Sequence, residues 1–404
     1  MQRLQSVEVQ CVTVTPMFIS GAEQGQPEIR ASAIRGALRY WLRAALGGLA
    51  GADVRAVRRE EARVFGAASD HGEGAEGDRA LQGVSAVSVV MPPVRAPSKP
   101  YERARAVSVS KGGRTLLQPT GRDYLYWSMT GIGGAARPYV MPGSRFQFTM
   151  GEYPGRANGA ALAAAMGALW LLTRLGGIGS RSRRAAGNIA VTAPDVWEEL
   201  RFGSRAADVE AAAQELASGI ETLRKWLAKR LGLPGKGPVG RPSFDVLAPS
   251  ACRIWVLGLW PTWDAAVETM GAALRDFRTY REPDHANVRR WARGERIATV
   301  ERAAFGLPLL FRYKDHTKAS VEGRYGRPEV VAHRRASPLW LSVWKLQAGY
   351  AGIATLFESS FLPEGAVLVN GLRPANPTSV PSGYGLVVRF IEERFPNRKE
   401  VRLV

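Results

Sequence analysis

The sequence predicts an α+β protein of two ferredoxin-like (RRM-like, split β-α-β) units carrying loop insertions. Two observations carry that prediction. Periodicities along the first half run strand, helix, strand, insertion, strand, helix, strand, and the second half repeats this order of elements without repeating its sequence. The implied divisions are an N-terminal unit over residues 1–200, a helical connector over 201–242 and a C-terminal unit over 243–404.

Val7, Val9, Cys11, Val12 and Val14 give the first strand, closed by Pro16 and Gly21. Over 32–46 the period becomes helical, with Ile34, Leu38, Trp41, Leu42 and Ala45 on one side; Ser32 is the expected N-cap and Gly47-Gly48 the stop. A Gly-, Arg- and Glu-rich tract at 67–79 reads as a loop, 84–91 as a strand ended by Pro92-Pro93, and 95–143 as an irregular insertion. A strand at 145–150, a helix at 160–175 and a short strand at 188–192 complete the first unit. Helical residues 208–231 and the Pro/Gly-rich 232–242 lead to the second unit, where 253–259 reads as a strand and 263–277 as a helix. Residues 338–346, 366–369 and 386–392 read as its remaining strands.

Charge narrows the function. Fifty-five Lys and Arg against 36 Asp and Glu leave +19 on 404 residues, and the pI is ≈ 10.5. Clustered cations gain affinity for a polyanion by releasing its counterions, so the surplus points to nucleic acid. Only nine of the 55 are Lys. A GC-rich genome accounts for Arg in place of Lys, but not for the surplus over acids. Guanidinium groups bind phosphate bidentately and stack on bases.

Other classes are disfavoured. The first residues alternate polar and apolar types instead of building the apolar block of a signal peptide, and the apolar run at 160–172 is too short for a bilayer and is followed by Arg174. Cys11 and Cys252 are too few for a cysteine zinc cluster and read as buried, reduced thiols. The expectation is a cytoplasmic protein with neither membrane anchor, metal nor cofactor.

Two segments concentrate the binding chemistry. Arg35, Arg39 and Arg43 recur every four residues on the first helix, with Arg30 and Ser32 at its start and Tyr40 and Trp41 beside the stripe. The second segment links a helix to a strand and includes Gly177, Gly179, Ser180, Arg181, Ser182, Arg183 and Arg184. Glycines allow close backbone approach, serines donate hydrogen bonds and arginines supply charge. The helix-loop-strand order and the glycine spacing differ from a dinucleotide fingerprint, and no P-loop pattern occurs. Against the binding reading, each segment can also be an ordinary amphipathic helix or capped basic loop.

Together with Thr15-Pro16-Met17-Phe18, Val64-Phe65-Gly66, Ala304-Phe305-Gly306-Leu307-Pro308 and Arg334-Arg335-Ala336-Ser337-Pro338-Leu339, these segments resemble the RAMP superfamily of CRISPR effector proteins. Within it, they are most similar to the family of first subunits of type III-B (Cmr) complexes. The resemblance implies two ferredoxin-like domains and a non-catalytic subunit partnered by guide RNA, target RNA and other Cmr subunits. Such a subunit caps the filament near the guide 3′ end and helps hold the guide–target duplex. Where the family follows the arginine pair with Gly, an aromatic and Gly, this chain has Ala185, Ala186 and Gly187.

The rival reading is a metal-independent endoribonuclease of the same superfamily. Its acid–base group would be one of His71, His285, His316 and His333, with His333 beside Arg334 and Arg335 the best placed. Asp53, Asp70 and Asp123 stay open as individual carboxylates, whereas Glu60-Glu61 reads as a solvated helix face. Trp291, among arginines, reads as core or as a base-stacking residue.

Overall fold

The computed structural model describes residues 6–23, 25–67, 85–111, 114–131, 135–153, 159–191, 200–325, 334–372 and 376–403. Its opening alternation forms β1 (Ser6–Thr13), with Val9 and Cys11 buried. The first helix, α1 (Ala31–Gly47), buries the expected apolar stripe. Its start differs from the expectation. Paired backbone hydrogen bonds between Ile29 and Val94 (3.1 and 3.3 Å) hold the chain extended up to Arg30, which is the N-cap, so Ser32 lies inside the helix and does not cap it.

A second helix follows, α2 (Val54–Phe65), expected only through its Glu60-Glu61 face; it is capped by Asp53, whose carboxylate accepts the backbone N–H groups of Arg55 and Ala56. The chain continues through β2 (Val87–Val90) into an insertion more ordered than its composition suggests. It holds β3 (Ser98–Pro100), the hairpin of β4 (Val107–Lys111) and β5 (Arg114–Gln118), then α3 (Gly121–Leu125) and β6 (Pro138–Val140). The unit closes with β7 (Arg145–Glu152), α4 (Ala160–Leu175) and β8 (Ile189–Val191). Its sheet is antiparallel with order β2-β7-β1-β8.

The second half starts with α5 (Val209–Leu231), whose Asp208 caps the first turn and whose Gly232 ends it at positive φ. After β9 (Cys252–Trp260) come α6 (Trp263–Arg278) and α7 (Asp284–Trp291). The strands β10 (Leu309–Arg312), β11 (Lys318–Arg324), β12 (Leu339–Leu346), β13 (Gly349–Phe357) and β14 (Val367–Asn370) precede α8 (Gly385–Arg394) and β15 (Lys399–Val401). The main sheet is antiparallel with order β12-β13-β9-β15, while β10, β11 and β14 form a separate sheet. The protein is thus α+β with antiparallel sheets.

Three expectations for this half need correction. Residues 386–392 are helical, because Val387, Phe390 and Ile391 fall three and four apart and bury together. The closing strand is instead the three-residue β15. Residues 366–369 correspond to β14 and join the side sheet, leaving the main-sheet place to β13, which the sequence reading missed because residues 351–357 are all buried and show no alternation.

One helix explains how the halves meet. Every residue of α4 beyond Ala160 is buried, as an all-apolar helix requires, and it packs against β7 and β8 on one side and β12 and β13 on the other. A single apolar core therefore includes Val9 and Phe148 of the first sheet and Val256, Trp344 and Ile353 of the second. Arg174, just 1% exposed, places its guanidinium 4.0 Å from the Trp170 ring and donates to the carbonyl oxygens of Arg201 (2.5 Å) and Phe202 (3.3 Å).

The insertion ties the halves a second time. Glu268 on α6 accepts the backbone N–H groups of Gly121 (2.6 Å) and Arg122 (2.9 Å), and Arg122 pairs with Asp264. The helices cross glycine to glycine: a Cβ on Gly271 would lie 2.0 Å from the Gly121 carbonyl oxygen. Gly271→Ala is therefore expected to destabilise the protein by about 1–3 kcal/mol through overpacking. Urea unfolding measures this, and an unchanged midpoint would show that the crossing yields without cost.

Candidate nucleic-acid interface

The loop between α4 and β8 is built into the junction of the two halves. Ser180 N–H donates to the Phe18 carbonyl (2.8 Å) and Gly187 N–H to that of Pro16 (2.9 Å), while Ala185 N–H donates to Leu341 of β12 (2.8 Å). The glycine requirement is largely internal. Gly187 has φ +67, and a Cβ there would lie 1.9 Å from the Ile178 carbonyl oxygen; at Gly177 a Cβ would lie 2.3 Å from that of Ala186. Gly179 and Ser180 nevertheless face solvent.

The three loop arginines take separate roles. Arg181, at φ +62, donates from Nε to Ser128 Oγ (2.8 Å). Arg183 donates to the Ser337 carbonyl (2.6 Å) and to Asp245 Oδ2 (3.2 Å), with its guanidinium 4.5 Å from the Trp340 ring. Asp245 also accepts from Tyr40 (2.6 Å) and Ser359 (3.1 Å). Burial, followed by Asp245, pushes the Tyr40 hydroxyl pKa well up, so Tyr40 stays a donor. Arg184 turns towards the C-terminal half, reaching the Phe305 carbonyl at 3.5 Å.

The loop and α1 come together, though through a different face of the helix than the arginine spacing suggests. Ala33, Ala37, Tyr40 and Trp41 line a groove of about 260 Å³ with Gly177, Gly179, Ser182, Arg183 and Trp340. Arg39 and Arg43 instead meet α2, where both pair with Glu61 Oε1 (2.5 and 3.1 Å). The expectation of a solvated Glu60-Glu61 face is therefore wrong: their side chains are 3% and 6% exposed, and Glu60 pairs with Arg59 and Arg63. Buried carboxylates need such partners. Arg30 donates to the Ser20 carbonyl (3.1 Å), and Ser32 is exposed. Among the described residues, Arg35 has no ion-pair partner.

Sequence reasoning missed one residue of this surface. Trp127 is 44% exposed, and Arg103 lies 5.4 Å from its ring. Its neighbours pin it to the loop: Tyr126 donates to the Ala185 carbonyl (2.8 Å), and Ser128 receives Arg181. The available signal was the aromatic cluster of Tyr124, Tyr126 and Trp127 inside a tract otherwise read as irregular. Trp291 is core, fully buried and donating from Nε1 to the Asn376 carbonyl (2.6 Å).

The candidate acid–base groups within the described residues belong to separate elements. His285 sits between Tyr280 and Tyr313, and burial lowers its pKa. His316 occupies a turn with φ +63. Asp123 is fully buried, accepting from Tyr101 and the Ala104 N–H, and Asp53 is the cap of α2. His71, His333, Asp70 and the 67–79 tract beyond Ala67 lie outside the described residues. Cys11 and Cys252 are free and buried, with burial raising both thiol pKa values. Among the described residues no helix is long and apolar enough to cross a membrane.

Residues 10–190, which span both predicted segments, match the RAMP superfamily model. The CRISPR system Cmr subunit Cmr1-1 of Pyrococcus furiosus is 25% identical over 366 residues, covering 89% of each chain. Residues 10–190 of the chain are thus similar to the RAMP superfamily, and most of its length is similar to Cmr1. The crystal structure of apo Cmr1 from Pyrococcus furiosus shares the fold of this chain, with TM-score 0.56 and 20% identity over 99% of both chains. A chain in the cryo-EM structure of Type III-B Cmr-beta bound to cognate target RNA aligns at TM-score 0.53 and 11% identity, covering 97% of this chain and 98% of that one. The segments 304–308 and 334–339, which carried part of the resemblance, meet in space: Leu307 and Arg335 exchange backbone hydrogen bonds of 2.8 and 3.3 Å.

Proposed function

We propose that the chain is a non-catalytic, RNA-binding, Cmr1-like subunit of a type III-B CRISPR effector complex. Its partners on this reading are guide RNA, target RNA and the other Cmr subunits, and it caps the filament near the guide 3′ end, helping to hold the guide–target duplex. The observation that carries the proposal is the groove where Ala33, Ala37 and Tyr40 of α1 face the Gly177–Arg184 loop on a chain of net charge +19. Both antiparallel sheets place their four strands in the order second, third, first, fourth, which supports two ferredoxin-like units over 1–200 and 243–404, joined by 201–242.

Within that reading, the exposed Gly179 and Ser180 of the loop approach the sugar-phosphate backbone, Arg35 and Arg181 supply charge, and Trp127 offers a ring to a base. Arg183, Arg39 and Arg43 hold the surface together through their carboxylate partners.

The test is to assemble the purified chain with its sister subunits and measure guide-RNA binding across salt. Arg35→Gln with Arg181→Gln is expected to flatten the salt slope by roughly 0.7 per lost phosphate contact on a single strand. An unchanged slope would remove both residues from the interface. Incubation of labelled guide and target RNA with the chain and chelator should leave both intact. Cleavage lost in His333→Ala would overturn the non-catalytic reading in favour of a metal-independent endoribonuclease.

A further inference from the structure

Three arginines from distant parts of the sequence gather around Phe305. Arg184 ends the basic run of the loop, and its Nη2 lies 3.5 Å from the Phe305 carbonyl oxygen. Arg278, in the last turn of α6, places its guanidinium 5.4 Å from the Phe305 ring. Arg302 belongs to the same 3-10 turn as Phe305 (Glu301–Phe305) and lies 4.7 Å over the Phe311 ring. Each is partly shielded from solvent, and each has a buried nitrogen without a hydrogen-bond partner: Nη1 of Arg184 and Nε of Arg278 and Arg302.

No carboxylate is ion-paired with any of the three among the described residues. Asp284, close to Arg302, turns its oxygens to the backbone N–H groups of Glu301 (3.0 Å) and Arg302 (2.5 Å). Burial, reinforced by Arg278, lowers the pKa of Arg184 to about 9 and that of Arg302 to about 10. Arg39 and Arg183, by contrast, are each answered by an acid, Glu61 and Asp245 respectively. Here like charges crowd together without that answer, which destabilises the protein unless an anion joins them.

We propose that Arg184, Arg278 and Arg302 form a phosphate-binding cradle between the glycine-rich loop and the C-terminal half, occupied by a backbone phosphate of the bound RNA. The proposal rests on the RNA-binding reading above and extends it to Arg278 and Arg302, which neither predicted segment contains. Planar guanidinium forks match phosphate oxygens two at a time, and no carboxylate among the described residues is paired with these three. Continuity with the loop places the cradle where a strand leaving the α1 groove can follow Arg183 and Arg184 into the second half.

The test uses the full chain, an Arg278→Gln/Arg302→Gln variant and an Arg278→Lys variant that keeps the charge but loses the fork. Melting is followed with inorganic phosphate and with sodium chloride at matched ionic strength, and binding of a single-stranded RNA across salt. Phosphate is expected to raise the melting temperature of the parent beyond the chloride control. The double variant should lose that increment, and Arg278→Lys should retain only part of it. In phosphate-free buffer the double variant should be at least as stable as the parent, so failure to fold there would itself count against an unneutralised cluster. On RNA, its salt slope should fall by roughly 0.7 per contact removed.

Equal phosphate effects in parent and double variant would overturn the cradle. A lost phosphate increment with an unchanged RNA slope would overturn the RNA source and leave a site for free phosphate. A parent that binds phosphate through these residues but no RNA would instead sink the RNA-binding reading, so the two failures are distinguishable.

Discussion

Asp245→Ala is expected to lower the free energy of unfolding by about 3 kcal/mol, the low end of the cost of breaking a buried ion pair by removing one partner, because Arg183 is only half-buried. The Asp245 side chain is 8% exposed, and its oxygens receive the Tyr40 hydroxyl, the Arg183 guanidinium and the Ser359 hydroxyl. Ser359 in turn receives Arg335, whose Nε reaches the Phe361 carbonyl. One carboxylate thus joins α1, the glycine-rich loop and the segment after β13. Alanine leaves Arg183 half-buried against Trp340 and removes the acceptor of Tyr40. Asp245→Asn, which keeps an acceptor for Tyr40, should cost less than alanine. Urea titration followed by circular dichroism measures the difference. A loss under about 1 kcal/mol for alanine would mean that solvent reaches and replaces these bonds, as it does for surface pairs.

The same network shows which parts of the site were legible in the sequence. Residue type and local order were readable: α4 spans residues 160–175 as expected, because an uninterrupted apolar run leaves few alternatives, and the buried stripe of α1 followed from its spacing. The partner of each arginine was not readable. Arg39 meets Glu61 and Arg183 meets Asp245 only after folding, so equal charges on paper became a counter-ion, a strut and an unanswered cation. Unbroken burial without alternation hid β13, and α8 was misread because Val387, Val388 and Ile391 favour strands while their burial follows the helical period. Trp127 was hidden for a related reason. Its exposure follows from the hydrogen bonds of its neighbours to the loop, and no property of its own segment reports them.

On the RNA-binding reading, Trp127→Ala should weaken binding of single-stranded RNA by about 5- to 150-fold, the equivalent of roughly 1–3 kcal/mol for one base–aromatic stack. The argument is positional. Ala185 and Ala186 are buried and offer no ring at the loop, whereas Trp127 exposes one beside it, fixed on both sides by Tyr126 and Ser128. A ring held this way loses little freedom on stacking, and Arg103 lies close enough to its face to follow the base with a guanidinium. Stacking neutralises no phosphate, so the salt slope should stay that of the parent, unlike the arginine variants. Trp127→Phe should recover most of the affinity. An RNA with an abasic site at the stacked position should bind parent and Trp127→Ala alike, whereas equal losses on abasic and intact RNA would assign the effect to a disturbed loop.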